Sequence, residues 1–127
     1  LPVFTYVATA EVIALLGCGG DRDKSKRPLM GAALLAGSDL AIFTSDNPRS
    51  EDPTQIINEM ISGLTLPSNS VVEVDRKRAI ELAVAAAKAD DVVVLLGKGH
   101  ESGQEIAGVK HNFDDRLVLA AAIEATP

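Results

Sequence analysis

Three segments of this chain concentrate charged side chains directly after runs of apolar residues. The segments cover residues 17–28, 44–53 and 97–104. Open α/β sheets bind ligands beyond the carboxyl ends of their parallel strands. If the apolar runs are strands of one parallel sheet, the three segments meet at one edge of it and form a single site.

The first segment is rich in glycine and continues into basic residues. Glycine lets the backbone approach a ligand or adopt a positive φ angle. Arg22, Lys24 and Lys26 stand at the start of a predicted helix, whose N-terminus favours anions. The spacing is neither that of a Walker phosphate loop nor that of a dinucleotide-binding loop. The residues alone leave two interpretations open, a carboxylate or phosphate site and a solvated turn of mixed charge.

Cys18, in the same segment, has no general base at the spacing of a known catalytic motif. It is therefore predicted to be a small packed residue rather than a nucleophile.

The second segment contains Asn47-Pro48 followed by Arg49. Asn-Pro favours a fixed turn, and the proline restricts the backbone just before the arginine. An arginine held in this way suits bidentate recognition of a carboxylate. The alternative is a turn that only leads to a helix cap at Asp52, which explains Asp52 but not Arg49.

The third segment places Lys98 between two glycines, with His100 and Glu101 after it. The Glu101 carboxylate could bind a ligand ammonium group, whereas a lone histidine is more often structural than catalytic. A metal site made of His100, Glu101 and His111 is not favoured, because adjacent residues of a strand point to opposite faces. Cations from the first two segments and a carboxylate from the third together describe a pocket for a zwitterion such as an amino acid.

The elements that must position these segments follow from the hydropathy pattern. Apolar runs without polar alternation are typical of strands buried on both faces of a parallel sheet. They predict strands at residues 12–16, 40–43, 71–74 and 92–96. Amphipathic stretches predict helices at residues 26–36, 53–62, 75–87 and 114–125.

Local signals refine these helices. Asp52 and Asp75 are predicted N-caps, Gln55 approximates a capping box, and Gly37 is a predicted C-cap. In the last helix the side chains expected to be available for burial are Leu117, Leu119, Ala120 and Ile123. A small hairpin around Gly108 is expected within residues 97–113. The alternating order predicts a Rossmann-like, open, mostly parallel α/β sheet flanked by helices.

Composition limits the function classes further. A chain of 127 residues predicts one domain, residues 1–127, with its own core. A single cysteine excludes an internal disulfide, so a reducing, cytoplasmic compartment is expected. The net charge of −6 argues against binding to nucleic acid by bulk charge. No apolar run reaches the roughly 18 residues of a membrane span, and without a basic n-region no signal peptide is expected.

Four motifs, in this order and spacing, strongly resemble the C-terminal domain of the Mur ligases. They are GCGGDRDKSKRPLM at residues 17–30, Asp46-Asn47-Pro48-Arg49, Gly97-Lys98-Gly99-His100-Glu101 and Phe113-Asp114-Asp115-Arg116. The match is to the branch that adds the third residue of the peptidoglycan stem peptide, and it runs from about Val12 to Glu124. Residues 1–11 match it poorly and are predicted to be an atypical or boundary segment.

The resemblance implies the C-terminal domain of a cytoplasmic, ATP-dependent ligase of peptidoglycan precursor synthesis, and so a role in cell-wall formation, cell shape and division. Such an enzyme adds meso-diaminopimelate to UDP-N-acetylmuramoyl-L-alanyl-D-glutamate through an acyl phosphate. In that family the Asp-Asn-Pro-Arg motif looks like the signature of the diaminopimelate-adding members. The alternative is a catalytically silent Mur-ligase-like binding or assembly module.

The resemblance also implies residue roles. Diaminopimelate would be bound by Arg22, Asn47 and Arg49 at its distal carboxylate, by Asp46 and Glu101 at its ammonium groups, and by the backbone of Gly97. Accessory or ATP-facing roles would fall to Lys24, Lys26, Lys98 and His100. ATP and Mg2+ would be bound mainly by the central domain of the enzyme, so no catalytic residue and no metal ligand is expected here. The expected partners are the central and N-terminal domains and the two substrates, without nucleic acid or membrane.

Overall fold

Two of the apolar runs form the centre of a four-stranded parallel sheet. In the computed structural model, which describes residues 10–127, β1 (Val12–Cys18) pairs with β2 (Leu40–Ser45) on one side and with β4 (Val92–Leu96) on the other. The short strand β3 (Val71–Val72) pairs with β2, which gives the order β3-β2-β1-β4. The carboxyl ends of these strands therefore meet at one edge, as the sequence predicts.

Helices cover both faces of this sheet. On one face, α1 (Arg27–Gly37) and α2 (Pro53–Ile61) pack against side chains such as Leu16 and Phe43. On the other face, α3 (Arg76–Ala86) and α4 (Asp115–Glu124) pack against side chains such as Leu15. Neighbouring residues of β1 thus serve opposite faces, as the period of a strand requires. The predicted mostly parallel sheet with flanking helices is confirmed.

Aspartates begin three of the four α-helices within residues 10–127. The side chains of Asp52, Asp75 and Asp114 accept hydrogen bonds from the backbone amides of Thr54, Arg78 and Arg116. Each bond satisfies one of the free amides of a first helical turn. The capping box expected from Gln55 does not form, because its side-chain oxygen accepts no hydrogen bond from the Asp52 amide; its NH2 group donates to Glu59. Gly37 is the last residue of α1, and the cap position belongs to Ser38.

The predicted hairpin around Gly108 is confirmed. Strands β5 (Gly103–Ile106) and β6 (Val109–Asn112) are antiparallel. Their connection is Ala107-Gly108, with φ angles of 51° and 78°. Two successive positive φ angles are the requirement of the turn type that suits a two-residue hairpin. The register places Glu105 opposite Lys110.

Three sequence predictions about the strands are wrong in detail, and the first concerns β3, which was predicted at residues 71–74 and covers only Val71–Val72. The strands β1 and β2 extend to Cys18 and Ser45, so the polar segments begin two residues later than predicted. The prediction of burial on both faces fails for the two edge strands, β3 and β4, in which Val72 and Val92 are each 52% exposed. A strand paired on one side only cannot be covered as fully as β1 and β2.

The buried face of α4 also differs from the prediction. Leu117 and Ile123 are 71% and 56% exposed, and Ala120 is exposed as well. The side chains that pack against the core are Val118, Leu119 and Ala122. These three share one face of the helix, because residues three or four apart are neighbours on a helical surface.

No helix of residues 10–127 has both the length and the hydropathy needed to cross a bilayer. The expectation of an atypical segment at residues 1–11 falls largely on residues 1–9, which lie outside the described part of the chain.

Candidate functional site

The turn that follows β2, Asp46 to Arg49, is fixed by main-chain hydrogen bonds on two sides. On the side of the glycine segment, the amide of Gly20 donates to the carbonyl of Asn47 over 2.6 Å. On the side of the hairpin, the amide of Arg49 donates to the carbonyl of Glu105 over 2.8 Å. The carbonyl of Arg49 accepts from the amide of Ala107, also over 2.8 Å. The side-chain amide of Gln104 also donates to the carbonyl of Asp46 over 2.8 Å, so all three predicted segments are connected through this turn.

Two glycines allow these close approaches. A Cβ atom at Gly20 would overlap the carbonyl of Pro48. Gly97 has a φ angle of +101°, and a Cβ atom there would lie 2.6 Å from the carbonyl oxygen of Gly17. Glycine is therefore needed at both positions, because a side chain would prevent two segments of the site from packing together.

Arg49 occupies an unusual backbone conformation and keeps an uncompensated charge. Its φ angle is +53°, a region that side chains other than glycine seldom adopt. Its half-buried guanidinium donates through Nη1 to the carbonyl of Gly20 over 2.8 Å. It forms no ion pair with any carboxylate of residues 10–127. A fixed arginine without an internal carboxylate is suited to bind an external one.

A cavity of about 460 Å³ opens beside this arginine. Its lining consists of Asn47, Arg49, Glu101, Ser102, Gly103, Gln104, Glu105 and Lys110. Two cations and two carboxylates thus face one space, and the volume is within the range of small-molecule sites, roughly 300–1,000 Å³. Glu105 and Lys110 are not among the residues predicted from the sequence. A two-residue turn at Gly108 would have paired them and placed both beside the site.

A second cavity, of about 250 Å³, is lined by Arg22, Asp46 and Gly97, among others. The six predicted ligand-binding residues therefore divide equally between two neighbouring cavities. Arg22 and Arg49 approach each other at their boundary, since a Cβ atom at Gly19 would lie 3.0 Å from Arg49 Nη1 and 3.5 Å from Arg22 Cγ. The guanidinium of Arg22 is exposed and donates to the carbonyl of Asp21 over 3.2 Å.

Asp46 is buried close to two cationic side chains, Arg76 and Lys98. Burial raises the pKa of this carboxyl above its ordinary value, while the charges of Arg76 and Lys98 act to lower it. The Nζ atom of Lys98 lies 3.7 Å from Asp46 Oδ1, and the Lys98 side chain is fully buried. The expected accessory residue Lys98 thus faces the interior of the protein.

Arg76 was not identified from the sequence, yet it joins several elements below the site. Its guanidinium donates to the carbonyls of Ser45 and Leu96 over 3.0 and 3.2 Å. It also binds both oxygens of Asp115, at 2.8 and 2.7 Å. The Asp115 of the fourth sequence motif therefore has a defined partner. Nothing in the sequence separates Arg76 from an ordinary solvated arginine of a first helical turn.

The first segment is anchored by Arg27, which is also part of the quoted motif. Its buried guanidinium pairs with Glu51 at 2.8 Å and with Glu59 at 3.3 Å, and it donates to the carbonyl of Gly19 over 2.9 Å. Hydrogen bonds from Arg27 and from the backbone amide of Asp21, the first being the larger cause, lower the pKa of Glu51 to about 2. Lys24 pairs with the same Glu51 at 3.5 Å.

The remaining candidates are spread over the surface and the core. Lys26 lines the second cavity, and His100 is exposed. His111 lines a different cavity from Glu101, so the two do not form a common site. Cys18 is buried 3.7 Å from the sulfur of Met30, and burial raises the pKa of its thiol to about 11. A thiol with such a pKa stays protonated and unreactive at neutral pH.

Comparison with known proteins points to one family. The family profile described as "Mur ligase, glutamate ligase domain" matches residues 3–99. The UDP-N-acetylmuramoyl-L-alanyl-D-glutamate–2,6-diaminopimelate ligase of Clostridioides difficile is 53% identical over 112 residues, which are 87% of this chain and 23% of that protein. The Streptomyces coelicolor protein of the same name is 51% identical over 125 residues, or 94% of this chain and 25% of that protein.

A solved structure with this name gives the same result. It superposes with a TM-score of 0.86 at 48% identity, over 91% of this chain and 24% of the other. The chain therefore spans about a quarter of the length of these relatives.

Proposed function

Because the chain belongs to the Mur ligase family, we propose that it is the amino-acid-binding C-terminal domain of a diaminopimelate-adding ligase. The complete enzyme would join meso-diaminopimelate to UDP-N-acetylmuramoyl-L-alanyl-D-glutamate in the cytoplasm, with hydrolysis of ATP. The relatives that carry this name are about four times as long as the chain. The N-terminal and central domains of the same enzyme would then be its partners.

The observation that carries the proposal is the uncompensated guanidinium of Arg49 beside the cavity of about 460 Å³. Diaminopimelate differs from lysine by one additional carboxylate. With that carboxylate bound, the half-buried charge of Arg49 gains a partner, whereas lysine would leave it unpaired. Sites that hold a polar group in this way strongly reject analogues that lack its partner.

The surrounding groups complete a site for a zwitterion. The side-chain oxygen of Asn47 accepts a hydrogen bond from the amide of Glu105 over 2.8 Å. Its NH2 group is thereby left to donate to a carboxylate, together with Arg49 and Arg22. Asp46 and Glu101 would accept from the ammonium groups, and Gly97 would contribute its main chain. The positive φ angle of Gly97 turns the backbone at this point.

The contribution of this domain to the reaction would be orientation of the attacking amine. When ATP and Mg2+ are bound to the complete enzyme, they supply the phosphoryl group that activates the carboxylate of the second substrate. No group of three His, Cys, Asp or Glu side chains within residues 10–127 could hold a metal ion. By the family resemblance, ATP and Mg2+ would be bound mainly by the central domain. A turn fixed on both sides, like that at residues 46–49, suits a role in which correct placement provides much of the rate enhancement.

The test is an assay of the full-length protein with the UDP-linked dipeptide, ATP, Mg2+ and either meso-diaminopimelate or lysine. We expect formation of the tripeptide product with diaminopimelate and a strong preference for it over lysine. Product formation with lysine at equal efficiency would contradict the assigned specificity. No product with either amino acid would overturn the ligase assignment and favour the catalytically silent module.

A further inference from the structure

We propose that Lys98 is a positioning residue, whose buried ammonium group holds the 97–103 loop in place and keeps Asp46 available as a carboxylate for a ligand ammonium group. The proposal rests on the proposed function of this site as an amino-acid site. It gives Lys98 an indirect role, since its side chain is fully buried and cannot reach a ligand.

The geometry around Lys98 connects three parts of the site. Its Nζ atom donates to the carbonyl of Gly103, where β5 begins. The same atom lies 3.7 Å from Asp46 Oδ1, just beyond the end of β2. It also stands 5.7 Å from the centre of the Phe113 ring, close before α4. One ammonium group therefore joins the two ends of the loop that carries Glu101 and links this loop to the end of β2.

The contact between Lys98 and Asp46 is Coulombic and leaves the carboxylate oxygen free. Asp46 Oδ1 is buried and has no hydrogen-bond partner among the described residues. A buried carboxylate oxygen without a partner is costly. A cation 3.7 Å away reduces this cost without occupying the oxygen. Asp46 Oδ1 is thus available to accept from a donor that the protein itself does not supply.

Of the charged groups that residues 10–127 place around Asp46, Lys98 is the one that can favour its ionised form without being paired elsewhere. The titratable groups that face Asp46 are Arg76 of α3, Asp115 of α4, Cys18 of β1, and Lys98 and Glu101 of the loop after β4. Burial, Glu101 and Asp115 raise the pKa of Asp46, and Arg76 and Lys98 lower it. Arg76 is already bound through two nitrogens to Asp115. Lys98 is therefore the facing cation whose charge is not shared with a second carboxylate in the described part of the chain.

The experiment compares Lys98→Met with wild type in the full-length ligase. Methionine keeps the length of the side chain and removes the charge. We would measure KM for diaminopimelate and kcat as a function of pH over the whole range in which the enzyme is stable, because removal of the Lys98 charge should raise the pKa of Asp46 further. Lys88→Met serves as the control, because Lys88 is an exposed lysine beyond the end of α3.

The expected result is a KM about tenfold above wild type at the acid end of this range, with a smaller change in kcat. The difference should shrink as the pH rises, because Asp46 in the variant then regains its charge. Lys88→Met should follow the wild-type profile throughout. A KM increase of equal size at every pH would mean that Lys98 is only a packing residue and would overturn the proposal, as would an unchanged profile.

Two further measurements keep the test decisive. If Lys98→Met does not fold, Lys98→Gln retains a donor near the Gly103 carbonyl without the charge and should give the same pH dependence. A carbon NMR titration of Asp46 in labelled protein needs no ligand, and its midpoint should be higher in the variant. Failure of the wild-type enzyme to incorporate diaminopimelate would refute the proposed function. An equal Asp46 midpoint in both proteins would refute the role of Lys98 alone.

Discussion

Arg76 and Asp115 form a buried ion pair that lies at the junction of two strand ends. The two guanidinium–carboxylate distances are 2.8 and 2.7 Å, and the Arg76 side chain is fully buried. Its remaining donors bind the carbonyls of Ser45 and Leu96, the last residues of β2 and β4. Asp46 and Gly97 directly follow these two strands, so one guanidinium group holds the backbone just before both residues. Changes at α4 should consequently be transmitted to the site.

Replacing Asp115 with Ala should strongly destabilise the protein. Removal of one partner of a buried pair leaves an uncompensated charge, which costs about 3–5 kcal/mol. Urea-induced unfolding measures the change in the free energy of unfolding. Arg116→Ala is the control, because the neighbouring pair of Arg116 and Asp114 lies at the surface, with the Arg116 side chain 69% exposed. Equal effects of the two substitutions would argue against a special role for the buried pair.

Replacing Arg49 with Ala should abolish most of the preference for diaminopimelate. The loss of a charged hydrogen-bonding partner is expected to lower transition-state stabilisation by about 2–4 kcal/mol. This corresponds to a decrease of roughly 30- to 1,000-fold in kcat/KM. The kcat/KM for lysine should change far less, so the ratio of the two values is the decisive quantity. Arg49→Lys should recover only part of the loss, since lysine cannot bind a carboxylate through two fixed donors.

Arg78→Ala is the matched control for Arg49, because Arg78 is an exposed arginine of α3. It should leave both kcat/KM values near those of wild type. A variant at Arg49 that still requires diaminopimelate would refute the assignment of its carboxylate to this residue.

The order of the strands and helices was predictable because it depends on local patterns. Unbroken apolar runs mark β1 and β2, aspartates mark the helix starts, and Gly108 marks the hairpin. The exposure of β4 was not predictable in the same way. Whether an apolar strand is central or at an edge depends on how many partners it has, and that is a property of the assembled sheet.

The candidate site was predictable as a set of segments and not as a set of contacts. The positions of Asp46, Asn47 and Arg49 follow from the end of β2. In contrast, Lys98 stands between two glycines, a context typical of an exposed loop, and is nonetheless fully buried. Its burial depends on Asp46, Gly103 and Phe113, which come from three separate parts of the chain. Such convergence has no signature in the residues adjacent to Lys98.

Replacing Gly20 with Ala should disturb the turn that carries Arg49. The added Cβ atom would overlap the carbonyl of Pro48, so one of the two segments must move. Overpacking of this kind costs about 1–3 kcal/mol, and we expect a higher KM for diaminopimelate as well. Gly37→Ala is the control, because a Cβ atom there meets nothing within 4 Å. Thermal unfolding and KM should both be measured, and a Gly20 variant that matches the Gly37 variant in both would contradict the close packing of the two segments.

The ion pair between Arg27 and Glu51 should give the protein a specific dependence on acid. Glu51 has a pKa of about 2 in the folded protein, against an ordinary value of 4.5, chiefly because of its hydrogen bond with Arg27. A folded-state pKa below the unfolded one stabilises the protein above the unfolded value. That contribution is lost as the pH falls from about 4.5 towards about 2. The difference in unfolding free energy between wild type and Glu51→Gln should therefore be constant near neutral pH and decrease over this interval. Urea-induced unfolding at several pH values measures this difference in unfolding free energy, with Glu124→Gln at the exposed end of α4 as the control. A difference that stays constant as the pH falls to about 2 would show that Arg27 does not hold Glu51 as a carboxylate.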